Sequence, residues 1–183
     1  MKFISQSIPG LILIEPKIYG DERGYFIETF RKDLFEKALG YKVNFIQDNE
    51  SRSVKGVLRG LHYQIPPFEQ NKLVRVIQGS ILDIAVDIRK DSATFGRHLA
   101  IELNEDNKCQ LFIPRGFAHG FVVLSNYSIF SYKVDNYYSP SNERGIVFDD
   151  EQLAIDWTLS SKDLQLSIRD QKLPKLADKK ILL

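Results

Sequence analysis

The chain has 183 residues, 43% of them hydrophobic and 27% charged, which is long enough for one well-cored domain and short for two. Its 25 basic and 24 acidic residues leave a net charge of +1, and the dispersed basic residues exclude the footprint of a nucleic-acid-binding protein. The single cysteine, Cys109, excludes a disulfide within the chain, and no zinc-finger spacing is present. We therefore predict one domain over residues 1–183 and no nucleic-acid partner.

The N-terminal residues lack the apolar core and the small-residue cleavage site of a signal peptide. No apolar run reaches the length that a membrane-spanning helix needs. We expect no membrane partner, and we expect the protein to be cytoplasmic.

The first part of the chain predicts short strands and one helix. Leu11 to Ile14 and Tyr25 to Phe30 are apolar runs of strand length. Arg31 to Leu39 carries one apolar stripe at helical spacing and is followed by a glycine, which predicts a short surface helix. Val43 to Gln47 predicts a further strand, and Asp48 to Ser51 reads as a polar loop.

From Val57 to Val134 the pattern is almost entirely that of strands, with apolar and polar residues alternating. Glycine, proline and asparagine interrupt it at close spacing, which favours a β-sandwich or barrel over a fold of alternating strands and helices. Beyond it, Asp149 to Trp157 predicts a helical turn. Residues Ser160 to Leu183 are predicted to pack over the outside of the barrel.

Two residues between Gly56 and Gly79 indicate a site. Alternate residues of a strand share a face, so His62 is predicted to share one with Leu58, Gly60 and Gln64. Lys72 shares a face of the next strand with Val74 and Val76. If both faces line one cavity, an imidazole takes a proton next to a carbonyl while an ammonium holds the oxyanion. A buried structural histidine beside a surface lysine explains the stretch equally well.

Two short motifs, His62-x-Gln64 and Pro114-x-Gly116-x-x-His119, lie next to strands and resemble the half-motifs of the cupin superfamily. That resemblance implies a mainly β protein, a cupin-type jelly-roll or β-sandwich barrel with a few short peripheral helices. Metal-binding cupins supply His-x-His, a glutamate and a further histidine. Here Gln64 stands where the second histidine would be, and an amide is a weak ligand for first-row metals. We expect neither a metal nor another cofactor.

Three further groups of residues each have a structural and a functional interpretation. Tyr132 is either a core tyrosine or a general acid. Asp170 is either a solvated carboxylate or the partner that orients the His62 imidazole and raises its basicity. Arginines next to glycines form surface salt bridges or grip a diphosphate, and the three in this chain are Arg23, Arg59 and Arg115. No Walker loop is present, and no G-x-G-x-x-G follows a strand.

Longer motifs occur in one order along essentially the whole chain: Phe-Ile-Gln-Asp-Asn-Glu-Ser-Arg-Ser, Gly-Val-Leu-Arg-Gly-Leu-His-Tyr-Gln, Lys-Leu-Val-Arg-Val, Val-Asp-Ile-Arg, Pro-Arg-Gly-Phe-Ala-His-Gly-Phe, Tyr-Tyr-Ser-Pro-Ser-Asn-Glu-Arg-Gly-Ile and Ile-Asp-Trp. On these motifs the chain resembles the dTDP-4-dehydrorhamnose 3,5-epimerase family, cupin-fold isomerases of dTDP-L-rhamnose biosynthesis. The resemblance implies that a dTDP-4-keto-6-deoxyglucose-type substrate, dTDP-4-dehydro-6-deoxy-D-glucose, is epimerised at C3 and C5 to dTDP-4-dehydro-L-rhamnose.

The same resemblance implies roles for individual residues. His62 would be the base, Asp170 its partner, Lys72 the cation for the oxyanion and Tyr132 the acid. The implied substrate-binding positions are Arg23, Glu28, Gln47, Asp48, Asn49, Arg59, Lys72, His119, Glu143 and Arg169. Arg169 stands where the family often has lysine, so the charge is kept while the reach differs.

The family is dimeric with exchanged N-terminal segments, which would place Arg23 and Glu28 in the partner's site. Two alternatives remain open at this point. One is an enzyme that inverts only C3 or only C5 of a related dTDP-4-keto-6-deoxysugar. The other is a non-catalytic cupin that binds a sugar nucleotide.

Overall fold

The structure, a computed structural model, describes residues 1–178. Within these residues the chain forms thirteen β-strands, one α-helix and two short 3-10 helices. The strands are β1 Lys2–Ser5, β2 Ile12–Glu15, β3 Ile18–Asp21, β4 Gly24–Ile27, β5 Gln47–Val54, β6 Leu58–Gln64, β7 Lys72–Gln78, β8 Ser80–Asp87, β9 His98–Asn104, β10 Gln110–Ile113, β11 Phe117–Val123, β12 Tyr127–Val134 and β13 Glu143–Gly145. The helix α1 is Lys32–Leu39, and the 3-10 helices are Ser161–Asp163 and Asp170–Lys172.

The strands form two main sheets. The six-stranded sheet has the order β1-β2-β10-β7-β12-β5, and the five-stranded sheet has the order β13-β6-β11-β8-β9. Strands β3 and β4 form a separate hairpin. Neighbouring strands pair antiparallel throughout both sheets. Many of the paired strands, such as β7 and β12, are not consecutive in the chain. The predicted mainly β sandwich is confirmed.

The core has three apolar layers. The layer between the sheets takes residues from both of them, among them Val74, Ile81, Ala85, Leu111, Phe121 and Phe130. Helix α1 covers the outer face of the six-stranded sheet through Phe35, which packs edge-on against Phe112. The C-terminal segment covers the outer face of the five-stranded sheet through Trp157 and Leu176. Both sheets are therefore buried on two sides, and their central strands are nearly inaccessible to solvent.

The predicted helix is confirmed with its start one residue later. It ends at Gly40, which has a φ of 79° and whose N–H donates to the carbonyl oxygen of Glu36. Glycine reaches this left-handed conformation without a steric penalty, so it stops the helix where the sequence predicts. The helical turn predicted for Asp149 to Trp157 is a single turn, in which the Ala154 N–H donates to the Asp150 carbonyl oxygen at 3.0 Å, and no longer helix forms there.

The polar loop predicted for Asp48 to Ser51 is wrong. These residues belong to β5, which pairs with β12 in an unbroken register from Gln47↔Val134 to Val54↔Tyr127. As the outermost strand of its sheet, β5 is held by backbone hydrogen bonds and carries side chains that face solvent or a polar cleft. Its lack of apolar residues therefore reflects its surroundings and not a lack of regular structure.

A bulge between β6 and β11 changes which residues of β6 share a face. His62 lies opposite His119 and Arg59 lies opposite Phe121, so three steps along β6 match two along β11. Leu58 consequently packs beneath the C-terminal segment, on the opposite face from His62. The predicted shared face of Leu58 and His62 is wrong because one extra residue reverses the alternation.

Gly60 makes this bulge sterically possible. Its φ is 125°, and a Cβ there would lie 2.5 Å from Gly120 Cα and 2.8 Å from the His119 carbonyl oxygen. These are backbone atoms that cannot rotate away. The close approach of β6 to β11, which brings His62 opposite His119, therefore requires glycine at this position.

We predict that Gly60→Ala lowers the free energy of unfolding by more than about 2 kcal/mol, through backbone strain and the clash with β11. The matched control is Gly20→Ala in β3, where the nearest atom to a new Cβ is the Gly24 carbonyl oxygen at 3.6 Å. Urea denaturation of both variants measures the difference. Equal midpoints would show that β6 and β11 relax apart without cost.

Candidate active site

A cleft of about 400 Å³ opens between the two sheets at the end where β5, β6, β7, β11 and β12 meet the C-terminal segment. Both sheets and that segment contribute side chains to its wall. The lining residues are Asn49, Glu50, Ser51, Arg59, His62, Lys72, His119, Phe121, Phe130, Tyr132, Ser167, Arg169 and Asp170. We call this space the cleft. It brings together the four predicted catalytic residues, which lie far apart in sequence.

His62 and Asp170 form a hydrogen-bonded pair in the cleft. Nε2 of His62 lies 2.7 Å from Oδ1 of Asp170, across 108 residues of sequence. Burial raises the pKa of Asp170, but hydrogen bonds from His62, from Ser167 and from the Gly60 N–H outweigh burial and lower it. The ionised carboxylate accepts the bond, so Nε2 carries the hydrogen and Nδ1 is left with a free lone pair. With 27% of its side chain exposed, His62 is open to a ligand.

Lys72 lies at the start of β7, beside His62. Its Nζ is 3.5 Å from the His62 carbonyl oxygen. Burial lowers the pKa of Lys72 to about 8, against the opposing influence of the Glu143 and Asp83 carboxylates. The ammonium is therefore poorly solvated, and such a cation interacts strongly with negative charge that develops nearby.

Tyr132 lines the cleft from β12, opposite Asn49 on β5. Its ring centroid is 5.7 Å from that of Phe130, which is fully packed in the core. Burial, aided by the negative charge of Glu143, raises the pKa of Tyr132, so the phenol stays protonated and able to donate. Tyr132 therefore combines a packed ring with a hydroxyl group in the cleft.

His119 lines the cleft from β11 next to His62. It is 7% exposed, its ring stacks on Phe130 at 6.1 Å, and its Nε2 lies 2.9 Å from Oδ2 of Asp83. The cleft therefore holds a second histidine–carboxylate pair, buried more deeply than the first.

Charged residues surround the mouth of the cleft. Arg59 is exposed, and its Nε donates to Ser53 Oγ at 3.1 Å. Arg169 forms a salt bridge with Glu143, which also accepts a hydrogen bond of 2.8 Å from the Tyr138 hydroxyl. Two guanidinium groups at one opening suit an anionic ligand such as a diphosphate.

Five predicted substrate-binding residues, among them Glu143 at the mouth, do not line the cleft of a single chain. Gln47 donates to Asn49 Oδ1 at 2.9 Å, and Asp48 forms an ion pair with Lys133. Arg23 lies on the β3–β4 hairpin, where it pairs with Asp21. Glu28 follows that hairpin, by a separate surface pocket. Arg115, the third candidate for gripping a phosphate, forms an ion pair with Asp135, outside the residues that line the cleft.

The sequence patterns missed two residues that support the site. Ser167 lines the cleft, and its Oγ accepts from the Asp170 N–H at 3.0 Å. Tyr138 holds Glu143 at the mouth. Ser167 lies three residues before Asp170, the spacing of a local side-chain-to-backbone turn, and this could have revealed it. Tyr138 lies within a motif shared with the family but carries no distinguishing spacing.

Gln64, at the cupin metal-ligand position, holds a loop. Its amide donates to the carbonyl oxygens of Phe68 at 2.6 Å and Tyr137 at 3.1 Å, and it accepts from the Ser139 N–H at 2.6 Å. Over residues 1–178, no three His, Cys, Asp or Glu side chains come together as a possible metal site. In the same residues, no helix has the length and apolar character needed to cross a membrane.

A β-sandwich of the cupin type, with a histidine–carboxylate pair, an ammonium and a phenol in one cleft, defines a class of isomerases that move protons beside a carbonyl group. Residues 5–178 match the family described as dTDP-4-dehydrorhamnose 3,5-epimerase. The chain belongs to this family, and its cupin-type fold and isomerase class follow from that membership.

Individual relatives are similar to this chain over nearly its full length. The chain is 52% identical to a dTDP-4-dehydrorhamnose 3,5-epimerase of Shigella flexneri, over 90% of this chain and 93% of that protein. It superposes with a TM-score of 0.94 and 50% identity on a 3,5-epimerase of Legionella pneumophila in complex with dTDP-4-keto-L-rhamnose, covering 99% and 96% of the two chains. It also matches a 3′-monoepimerase of Streptomyces bikiniensis in complex with dTDP-quinovose, with a TM-score of 0.87, 34% identity and 94% and 87% coverage.

We predict that Lys72 loses its proton near pH 8, because burial disfavours the ammonium. The 13Cε resonance of Lys72, followed against pH, measures this directly. Lys175 is the control, since its exposed ion pair with Glu151 raises its pKa and should keep it charged throughout that range. A Lys72 that titrates together with Lys175 would contradict the prediction.

Proposed function

We propose that the protein epimerises C3 and C5 of dTDP-4-dehydro-6-deoxy-D-glucose, giving dTDP-4-dehydro-L-rhamnose for dTDP-L-rhamnose biosynthesis. The observation that carries the proposal is the pairing of His62 with Asp170 in a cleft that also holds Lys72 and Tyr132. The relatives named above support the choice of substrate. We also retain the cytoplasm as the proposed location, which cell fractionation would test.

His62 is the proposed base. The C4 carbonyl of the substrate acidifies the hydrogens on C3 and C5, so each can leave as a proton. Nδ1 of His62 takes that proton, and the electron pair of the C–H bond becomes part of an enolate. Asp170 stabilises the imidazolium that results and holds the ring in the tautomer that leaves Nδ1 free.

Lys72 and Tyr132 complete the inversion. The poorly solvated ammonium of Lys72 stabilises the enolate oxygen on C4. The Tyr132 phenol, kept protonated by burial, gives a proton to the opposite face of the same carbon and restores the carbonyl. Exchange with solvent resets both groups before the second carbon reacts. Each inversion removes one proton and adds one, so the substrate needs neither an oxidant nor a reductant.

Arg59, Arg169 and His119 are the proposed contacts to the substrate within one chain, together with Asn49. The diphosphate suits the two arginines, and the nucleotide extends beyond the mouth of the cleft. Gln47 and Glu143 support these contacts by holding Asn49 and Arg169. Asp48 stays a proposed contact at the outer edge of β5.

We propose a homodimer in which the N-terminal segments are exchanged. The β3–β4 hairpin is a support for this proposal, because it is separate from both sheets and exposes Tyr19, Tyr25 and Phe26. Exposed aromatic residues on a projecting hairpin are typical of an interface. In this arrangement Arg23 and Glu28 reach the partner's cleft.

A second candidate function is inversion of one carbon only. The similarity to a 3′-monoepimerase favours considering it, because one fold serves both outcomes. Proton NMR of the substrate and enzyme in deuterated buffer distinguishes them by counting the carbons that exchange. A chelator in the same reaction tests the expected metal independence, and turnover that requires added metal would contradict it. A protein that binds the sugar nucleotide without any exchange would be a non-catalytic member.

We predict that His62→Ala lowers deuterium entry at both carbons roughly 100- to 10,000-fold, the usual effect of removing a general base. In Tyr132→Phe, His62 still takes a proton and returns one to the same face, so deuterium should enter with retained configuration. Inverted product should fall steeply in that variant. Deuterium content and configuration at each carbon, measured in one reaction, separate the two roles. Native inversion by Tyr132→Phe would assign the acid to another residue.

We predict that co-expression of His62→Ala with Arg23→Ala restores about a quarter of the native activity, as statistical pairing of protomers requires. In half of the dimers, an intact His62 and an intact Arg23 then meet in one cleft. The matched control pairs His62→Ala with Arg59→Ala, since Arg59 and His62 lie on the same strand and no native cleft can form. Equal activities of the two mixtures would rule out the exchange.

A further inference from the structure

Three carboxylates buried among the described residues have no part in the proposed mechanism, those of Asp83, Asp87 and Asp150. Asp83 lies on β8, between β9 and β11 in the five-stranded sheet, and is fully inaccessible to solvent. One of its oxygens, Oδ2, lies 2.9 Å from His119 Nε2. The other, Oδ1, is buried without a hydrogen-bond partner among residues 1–178.

The surroundings of Asp83 make a charge there costly. Ile81 and Ala85, on the same face of β8, belong to the apolar layer between the sheets. Burying a carboxylate with one unpaired oxygen in such a layer is unfavourable unless nearby positive charge compensates. The sequence would fold more easily with an apolar residue at this position. A role in the cleft explains why a carboxylate occupies it.

Two groups of the cleft respond to Asp83. The first is His119, whose Nε2 is occupied by Asp83 so that the ring is held between Asp83 and Phe130. The second is Lys72, whose pKa the negative charge of Asp83 raises against the larger effect of burial. Glu143 acts on Lys72 in the same direction, but its carboxylate is already paired with Arg169. The ion-pair contact of Asp83 is with His119 alone among the described residues.

We propose that Asp83 is a positioning residue for the epimerisation, a buried counter-charge that keeps the Lys72 ammonium charged and fixes the orientation and tautomer of His119. This inference rests on the proposed function. Asp83 acts through these two residues and does not touch the substrate. Asp83 is not among the residues that line the cleft, whereas Asp170 lines it and contacts His62 directly.

The proposal has a pH signature because Lys72 must be charged to hold the enolate. The titratable or charged groups around Lys72 are Glu143 and Asp83, together with the cleft residues Glu50, Arg59, His62, His119, Tyr132, Arg169 and Asp170. Activity should fall as pH rises through the pKa of Lys72, which is about 8. Asp83→Asn keeps the shape and removes the negative charge, so the pKa of Lys72 falls further. The basic limb of the kcat/KM profile then moves to lower pH.

We predict that Asp83→Asn moves this limb to lower pH, because the Lys72 ammonium loses one of the two negative charges that favour it against burial. Lys72→Arg tests the assignment, because an arginine does not titrate and the limb near pH 8 should vanish. The matched control is Asp87→Asn, which removes a second buried carboxylate from the same face of β8. Arg89, Ser92 and Thr94 hold Asp87, and none of them lines the cleft. The basic limb of the kcat/KM profile of Asp87→Asn should therefore stay at the wild-type pH.

Exchange by the wild-type protein and the pH profile of Asp83→Asn separate the proposed function from the role of Asp83. If the wild-type protein gives no exchange at either carbon, the proposed function is wrong. If the wild type shows the limb and Asp83→Asn loses activity equally at every pH, Asp83 serves only the fold and the inference is overturned. Should Asp83→Asn not fold, the 13Cγ resonance of Asp83 in the wild type reports the same coupling. It should shift as Lys72 deprotonates, and a constant resonance through that range would overturn the inference.

Discussion

Charged groups can remain between two β-sheets only when each is balanced by a neighbour, and the whole site depends on that constraint. The carboxylate of Asp170 pairs with His62, that of Asp83 with His119 and that of Glu143 with Arg169. Burial lowers the pKa of Lys72, and no partner at salt-bridge distance among the described residues offsets that burial. Under the proposed mechanism, this incompletely balanced ammonium gains most when an enolate forms beside it, so the electrostatics of the cleft favour that intermediate.

Extensive apolar burial elsewhere offsets the free-energy cost of placing polar groups in the cleft. Three apolar layers surround it: one between the sheets, one beneath α1 and one beneath the C-terminal segment. Because both outer faces are covered, the inner strand β8 is buried on both sides, and its aspartates face the interior although alternation alone would place them in solvent. The alternation of β8 reports two buried faces of different polarity, and the more polar of the two supports the cleft.

Local patterns predicted the elements better than the site. Strand alternation, the apolar stripe of α1 and Gly40 describe interactions between residues close in sequence, and these gave the sandwich and the helix correctly. The bulge at Gly60 depends on a facing strand, and the strand character of Asp48 to Ser51 depends on pairing with β12, so neither is visible locally. The pairing of His62 with Asp170 spans 108 residues, where spacing carries no information. The residues alone left it as one of two interpretations, and only the family resemblance favoured it.

The C-terminal segment both covers a sheet and lines the cleft. Leu164, Leu166 and Leu176 seal the outer layer of the five-stranded sheet, and Gln165 exchanges backbone hydrogen bonds with Gly56 and Leu58. The same segment carries Asp170 into the cleft. Detachment of the segment would therefore remove the partner of His62 and expose apolar surface in one step. Under the proposed mechanism, activity and resistance to proteolysis would therefore be lost together.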